Sequence, residues 1–445
     1  MTSLSKSAPR AALALIVSTL FAAPNALAVD LIGIYRDALS QDPVYASARA
    51  AFEAAKELAP QARAGLLPSV SLSAGFNRNN RKLEDFPQAS FNSNNYNVSL
   101  SQPLFRMQNW IANDQAGLQV QQAEAVFADA SQNLIVRTSQ AYFDVLLAQD
   151  NVSLSGAQKK AISEQLAQAK RNFEVGTATI TDTYEAQAKY DLAVAKEIAD
   201  LADLEIKKRA LQQLIGKAPA ALSPLVEKPV LSQPAPSDME QWVSASNEAS
   251  PTVAQFRLAS EIAKKEVERT QAGHYPTVDL TANFGNSSSP ASIVPPVGPN
   301  LDTRSSGIGL TLNIPIFSGF GTQSRVRQSL ANREKAAQDL ENSQRSVAQT
   351  VRQNYLNVTN GVLQVKALEA ALVSSKSSLD ATVLGKDVGV RTNVDVLNAQ
   401  QQLFQAQRDL QQARYNTILA QLRLKSASGR LKEDDLAEVN RLLVK

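Results

Sequence analysis

Four stretches of the chain alternate apolar and polar residues with a period of two. Val70, Leu72, Ala74 and Phe76 alternate with Ser71, Ser73 and Gly75. Tyr96, Val98 and Leu100 alternate with Asn97, Ser99 and Ser101. The pattern returns at Val278, Leu280, Ala282 and Phe284, and again at Ile308, Leu310, Leu312, Ile314 and Ile316. Period two sends successive side chains to opposite faces, so each run predicts a strand with one apolar and one polar face. The expected strands cover residues 68–80, 93–105, 276–286 and 305–317. Each is long enough for a tilted membrane strand, which needs ~9–11 residues. Asn77-Arg78-Asn79-Asn80 and Asn286-Ser287-Ser288-Ser289-Pro290 read as the turns that follow, and Pro103 and Pro315 as strand ends.

Elsewhere the period changes to three and four. Val120, Ala123, Phe127, Ala130 and Leu134 mark one such stretch, and Val365, Leu368, Leu372, Ser375 and Leu379 another. Residues 106–173 and 319–386 are each 68 residues without proline. At ~1.5 Å per residue, either predicts a helical rod of roughly 100 Å. The spacing is that of a coiled coil rich in Ala and Gln. Each rod is followed by a turn and a second long helix, giving helical hairpins over 106–216 and 319–429.

The two strand–hairpin blocks are copies of one unit. Leu67-Pro68-Ser69-Val70-Ser71-Leu72 aligns with Tyr275-Pro276-Thr277-Val278-Asp279-Leu280 at a shift of 208 residues. Pro103-Leu104-Phe105 aligns with Pro315-Ile316-Phe317 at 212. Tyr142 with Tyr355, Val175-Gly176 with Val388-Gly389, Asp182 with Asp395 and Gly216 with Gly429 all align at 213. The expected division is a first repeat over 29–217, a Pro-rich linker over 218–237, a second repeat over 238–430 and a C-terminal segment over 431–445. Ahead of them, Lys6 and Arg10 precede an apolar run from Ala11 to Phe21, and Ala26-Leu27-Ala28 supplies a small-x-small cleavage site. Residues 1–28 therefore read as a signal peptide that sends the chain out of the cytoplasm.

Composition then removes alternatives. The chain has 445 residues and no cysteine, which excludes disulfides, thiolate metal sites and a lipidated N-terminal Cys. His274 is its single histidine, so a His-based metal cluster cannot form within one chain. The net charge is +3 with mixed signs, giving no support to nucleic-acid binding. No Ser/His/Asp set, P-loop or carboxylate pair stands out, and no cofactor is expected. Gly319-Phe320-Gly321-Thr322-Gln323-Ser324 follows a strand and opens a helix, but it lacks the third glycine and the parallel βαβ unit of a dinucleotide site. What remains is an exported non-enzyme with membrane-type strands. Four strands cannot close a barrel, and an open edge in lipid costs several kcal/mol per unpaired backbone group. Two chains give eight strands, which fill their own interior; three give twelve, which can hold a lumen.

Against this layout the chain resembles the TolC family. The similar segments are Leu66-Leu67-Pro68, Gln102-Pro103-Leu104-Phe105, Phe173-Glu174-Val175-Gly176-Thr177, Ala272-Gly273-His274-Tyr275-Pro276-Thr277, residues 388–397 and Ala413-Arg414-Tyr415-Asn416. The resemblance covers nearly all of residues 30–440. It implies an α+β membrane protein: an outer-membrane β-barrel of twelve strands per trimer, a long periplasmic α-helical barrel of coiled coils, and a mixed equatorial domain. It implies a homotrimer that meets a periplasmic adaptor and, through it, an inner-membrane ABC or proton-driven transporter. The function implied is an exit duct for type I protein secretion, multidrug efflux or both. A soluble periplasmic coiled-coil adaptor is the competing class, but it predicts one hairpin and flanking small β domains.

The resemblance also assigns residues. Val175-Gly176-Thr177 and Val388-Gly389-Val390 become tips that contact the adaptor; as mere αα-hairpin turns they would need no partner. Asp395 becomes a ring of three carboxylates at the pore gate, the kind of ring that selects cations. It can equally serve its helix dipole. The family type carries a second Asp one turn on, where this chain has Asn398, so weaker multivalent-cation block is expected. Arg391, with Thr181 and Asp182, is expected to hold the entrance closed, and Lys386, standing where the family has tyrosine, to pair with Asp182. Phe105, Trp110, Phe317 and Phe320 are expected as an aromatic girdle, or as ordinary junction packing.

Overall fold

The computed structural model describes residues 28–294 and 296–444. The signal-peptide reading, but for Ala28, lies outside the described residues. The first repeat comprises α1 (Leu31–Gln41), α2 (Pro43–Lys56), α3 (Leu58–Ala64), β1 (Ser69–Arg81), β2 (Ala89–Phe105), α4 (Met107–Glu174) and α5 (Ile180–Ile215). The second comprises α6 (Met239–Ala249), α7 (Pro251–Gln271), a 3₁₀ turn (Ala272–His274), β3 (Thr277–Pro290), β4 (Asn300–Asn313), α8 (Gly321–Asp387) and α9 (Asn393–Ala427); α10 (Glu433–Asn440) follows. Local chemistry sets the starts. Asp42 accepts from the Val44 N–H and Pro43 opens α2, where its missing donor costs nothing. Pro251 does the same for α7 after Ser250.

The four strands form one antiparallel sheet in the order β1-β2-β3-β4. Its register aligns the apolar positions: Val70 with Leu100, Leu100 with Ala282, Ala282 with Ile308. One face therefore carries Leu72, Val98, Phe284 and Leu310, the other Ser71, Asn97, Asp279 and Thr311. No part of the protomer covers the apolar face among the described residues: Leu72 is 70%, Ile308 78% and Leu310 69% exposed. β1 and β4 are open edges. A sheet with a bare apolar face and two open edges is an unfinished object in water.

The strand limits differ from the sequence reading in instructive ways. Asn77–Asn80 and Asn286–Pro290, expected as turns, continue β1 and β3. β2 begins at Ala89 rather than near 93. Apolar alternation marks only the part of a strand that faces an apolar phase, while backbone pairing continues beyond it. Pro103 does not end β2. The strand runs on to Phe105 through an irregularity between Pro103 and Phe105, where it pairs only with β3. Past Ser101 the strand has no partner on the β1 side, a half-paired setting in which a sheet tolerates proline. β4 covers Asn300–Asn313 rather than 305–317. Ile314 and Ile316 leave the ladder because β3 starts opposite Asn313 and Pro315 cannot donate.

Below the sheet α4 runs 68 residues and α8 67, each doubling back into α5 (36 residues) or α9 (35). The main core lies at mid-height, where Leu31 and Ile34 of α1 meet Leu134, Tyr142 and Phe143 of α4, Leu211 of α5, Ile418 and Leu422 of α9 and Leu436 of α10. The Pro-rich linker is pinned there. Leu222 bridges to Val29 and Leu225 to Leu443. The Tyr142 hydroxyl donates to the Ser223 carbonyl at 2.8 Å. Its repeat counterpart Tyr355 donates to the Ser237 carbonyl. No described helix is long and apolar enough to cross a membrane.

Candidate functional site

The two hairpin tips lie far from the sheet, and both are built the same way. At the first, α4 is capped by Val175, and Gly176 takes φ 76°. The Thr177 N–H returns to the Asn172 carbonyl at 2.8 Å. At the second, Val388 caps α8 and Gly389 takes φ 81°. The Val390 N–H returns to the Gly385 carbonyl at 2.9 Å. A side chain would strain both glycines, which is why the sequence marks them. Val175, Val388 and Val390 are 72%, 66% and 75% exposed, apolar side chains projecting into solvent at each tip.

A capping box starts the return helix in each hairpin. Thr179 accepts from the Asp182 N–H, and the Asp182 carboxylate accepts from the Thr179 N–H at 3.0 Å. Thr392 and Asp395 repeat this, the latter carboxylate accepting from the Thr392 N–H and hydroxyl, both at 2.9 Å. The Thr392 N–H, then its hydroxyl, hold the Asp395 carboxyl below the usual carboxylate range, with Arg391 adding its charge. Asp395 is thus a helix-start residue that stays ionised at neutral pH. Thr179 and Thr392 were missed in the sequence, although Thr-x-x-Asp before a helix is a readable capping signal.

The entrance-closing residues do not meet one another inside the protomer. Asp182 is held by Thr179, not Thr181. Lys386 donates to Gln168 Oε1 at 2.7 Å and Gln165 Oε1 at 3.4 Å, tying the foot of α8 to α4, so the expected Lys386–Asp182 pair is not made within the chain. The lysine reaches the nearer amides on the neighbouring hairpin instead. Arg391 lies across Gly385: a Cβ there would stand 2.8 Å from Arg391 Cγ. Gly385 was also missed, because nothing in a helix interior flags a glycine that seats another residue's side chain. Asn398 is exposed on the helix that Asp395 opens.

Further cross-links join the two hairpins. Lys189 of α5 donates to Gln401 of α9 at 2.9 Å. Asp200 of α5, 5% exposed, sits between Lys196 at 2.6 Å and Arg408 of α9 at 3.6 Å. At the far end of the rods, Arg106 grips Asp279 with two 2.7 Å bonds where strand passes into helix. Phe105, Trp110, Phe317 and Phe320 are 42%, 54%, 74% and 65% exposed at the same level, with the last two rings edge-to-face at 5.4 Å. Among the described residues no group of His, Asp or Glu could hold a metal ion within one chain.

Comparison with known proteins places this architecture. The family model described as "Outer membrane efflux protein" matches residues 34–217 and 242–430. The chain is 34% identical over 415 residues to "Outer membrane protein TolC" of Vibrio cholerae serotype O1, covering 93% of each. It is 32% identical to "Alkaline protease secretion protein AprF" of Pseudomonas aeruginosa, covering 93% of this chain and 87% of that one. Among solved structures, the outer membrane protein VceC of Vibrio cholerae superposes with a TM-score of 0.76 at 20% identity, over 90% of this chain and 96% of that one.

Proposed function

We propose, since the chain belongs to the outer membrane efflux protein family, that three copies close their sheets into one barrel and act as a passive exit duct. The chain is an outer-membrane channel protein of the TolC type. The observation that carries the trimer is the bare four-stranded sheet. Its apolar face suits lipid, its edges need strands, and three copies supply the twelve that leave a lumen. The soluble adaptor is set aside, because it leaves that face and those edges uncovered. Phe105, Trp110, Phe317 and Phe320 serve as the periplasmic-side girdle, their exposure favouring this over junction packing.

The rods extend the barrel through the periplasm. The tips at Val175-Gly176-Thr177 and Val388-Gly389-Val390 present apolar side chains to an adaptor, and beyond it an inner-membrane ABC or proton-driven transporter supplies the energy. Relatives named for protease secretion and for efflux support both kinds of traffic. At the gate Asp395 repeats three times, and Asn398 adds no charge. Arg391, which makes no close ion pair among the described residues of its own protomer, reaches Thr181 or Asp182 of a neighbouring copy to hold the entrance closed. The test is single-channel recording in a planar bilayer with a multivalent cation added on either side. One-sided block that disappears in Asp395→Ala, and a conductance that rises in Arg391→Ser, are expected. Unchanged block in Asp395→Ala removes that residue from the gate.

A further inference from the structure

The return helix of the second repeat carries a second feature in phase with its first carboxylate. From Asp395 the side chains at Asn398, Gln402, Gln405, Asp409, Gln412 and Asn416 follow in steps of three and four. All six after Asp395 are exposed, while Leu397, Leu410 and Ala413 between them are buried against the wall. Steps of three and four keep a stripe on one side of a helix wound in a left-handed coil. The stripe is made wholly of amides and carboxylates, with no apolar residue and no cation. Asp409 lies two heptads from Asp395, about 21 Å along the helix. Its carboxylate accepts from a neutral partner, Gln405 Nε2 at 2.8 Å. It also borders a cleft of about 510 Å³ between α8 and α9, with Leu368 and Ala371 on one wall and Asn398, Gln402 and Gln405 on the other.

We infer that Asp409 is a second cation-selecting position of the duct, lying inward of the gate. The inference rests on the reading that Asp395 faces the lumen, because the shared stripe then turns Asp409 to the lumen as well. Three copies place three carboxylates at that level, lined by amides able to replace part of a cation's hydration shell. The position offsets the charge that Asn398 omits, at a wider and deeper level. It favours passage of inorganic cations and of substrate segments bearing ammonium or guanidinium groups, and disfavours anions.

The experiment is reversal potential in a KCl gradient for the full-length channel, compared across wild type, Asp395→Asn and Asp409→Asn. Each variant is expected to lower the cation-to-anion permeability ratio several-fold, as loss of three carboxylates lining an aqueous bore should. The double variant should fall further. A ratio that drops in Asp395→Asn but not in Asp409→Asn overturns this inference and leaves the gate reading standing; no drop in either overturns both. Because the chain has no cysteine, Asp409→Cys offers a second readout if Asp409→Asn yields no channels. A cationic thiosulfonate reagent should then reduce cation current and an anionic one restore it. Open Asp409→Cys channels indifferent to both reagents place the residue outside the lumen.

Discussion

The two hairpins share a tip and differ along their return helices. Both reverse through a left-handed glycine and restart with a Thr-x-x-Asp capping box. At the shift of 213 that superposes the tips, Gln402 and Asp409 of α9 correspond to Lys189 and Lys196 of α5. In α5 those positions are cations turned to partners inside the protomer, Gln401 and Asp200. In α9 they are an amide and a carboxylate left open to solvent. The two hairpins therefore share the backbone device, which any long hairpin needs, and differ in their faces. One return helix cross-links the wall and the other offers an unpaired acidic stripe.

The sharpest way to break this contrast is at Asp200. It is nearly buried, and its removal leaves Arg408 and Lys196 without their counter-charge. Breaking a fully buried pair costs about 3–5 kcal/mol. Lys196 still reaches water, so Asp200→Ala should cost about 2 kcal/mol, read as a lower melting temperature of the detergent-solubilised protein. Its counterpart in α9 is Ala413, so the second hairpin carries no carboxylate at that position. An unchanged melting temperature would mean that the wall does not depend on the α5 cross-link.

The tips give a second comparison. Gly176 and Gly389 have nearly the same positive φ, and a Cβ on either meets open space. Alanine at either position should therefore cost about 1 kcal/mol of backbone strain and no packing. Conductance should separate them. The loop after Gly389 seats Arg391 over Gly385, with the Val390 and Arg391 N–H groups both donating to the Gly385 carbonyl at 2.9 and 3.1 Å. Gly389→Ala should raise conductance by disturbing that seat, and Gly176→Ala should leave it unchanged. Equal effects on conductance would make the two tips interchangeable.

These contrasts show which parts of the molecule could be seen in the sequence. The two rods and the strand cores were legible, because each is written in apolar periodicity and in glycine or proline at a turn. The polar ends of the strands were not. Asn286–Ser289 pair through their backbones, which side-chain patterning does not record. At the tips Gly176, Gly389, Asp182 and Asp395 stood out, whereas the pairing of Lys386 with Gln165 and Gln168 depends on how segments 221 and 218 residues apart in sequence lie side by side. Gly385 was invisible for the same reason: its smallness matters only to a loop that folds back over it.

The least of the expected effects lies at mid-height, at a titratable group that the second copy lacks. Asp150 of α4 accepts from the Tyr415 hydroxyl at 2.8 Å; its counterpart in α8 is Leu363, 57% exposed. Burial pushes the Asp150 carboxyl above the usual carboxylate range, and the Tyr415 bond only partly opposes this. A carboxyl whose folded pKa is raised binds its proton more tightly folded than unfolded. Its ionised form therefore burdens the fold at neutral pH, and that burden lifts as pH falls through the folded pKa towards the unfolded value of about 3.9. Asp150→Asn keeps an acceptor for Tyr415 and carries no charge at any pH. The variant should melt slightly higher than wild type at neutral pH, and the gap should close as the pH approaches about 4. Melting curves for the pair across that range decide it: a gap that stays constant or widens on acidification would mean that Asp150 is ionised in the fold at no cost, and that the mid-height core is wetter on the α4 side than its packing indicates.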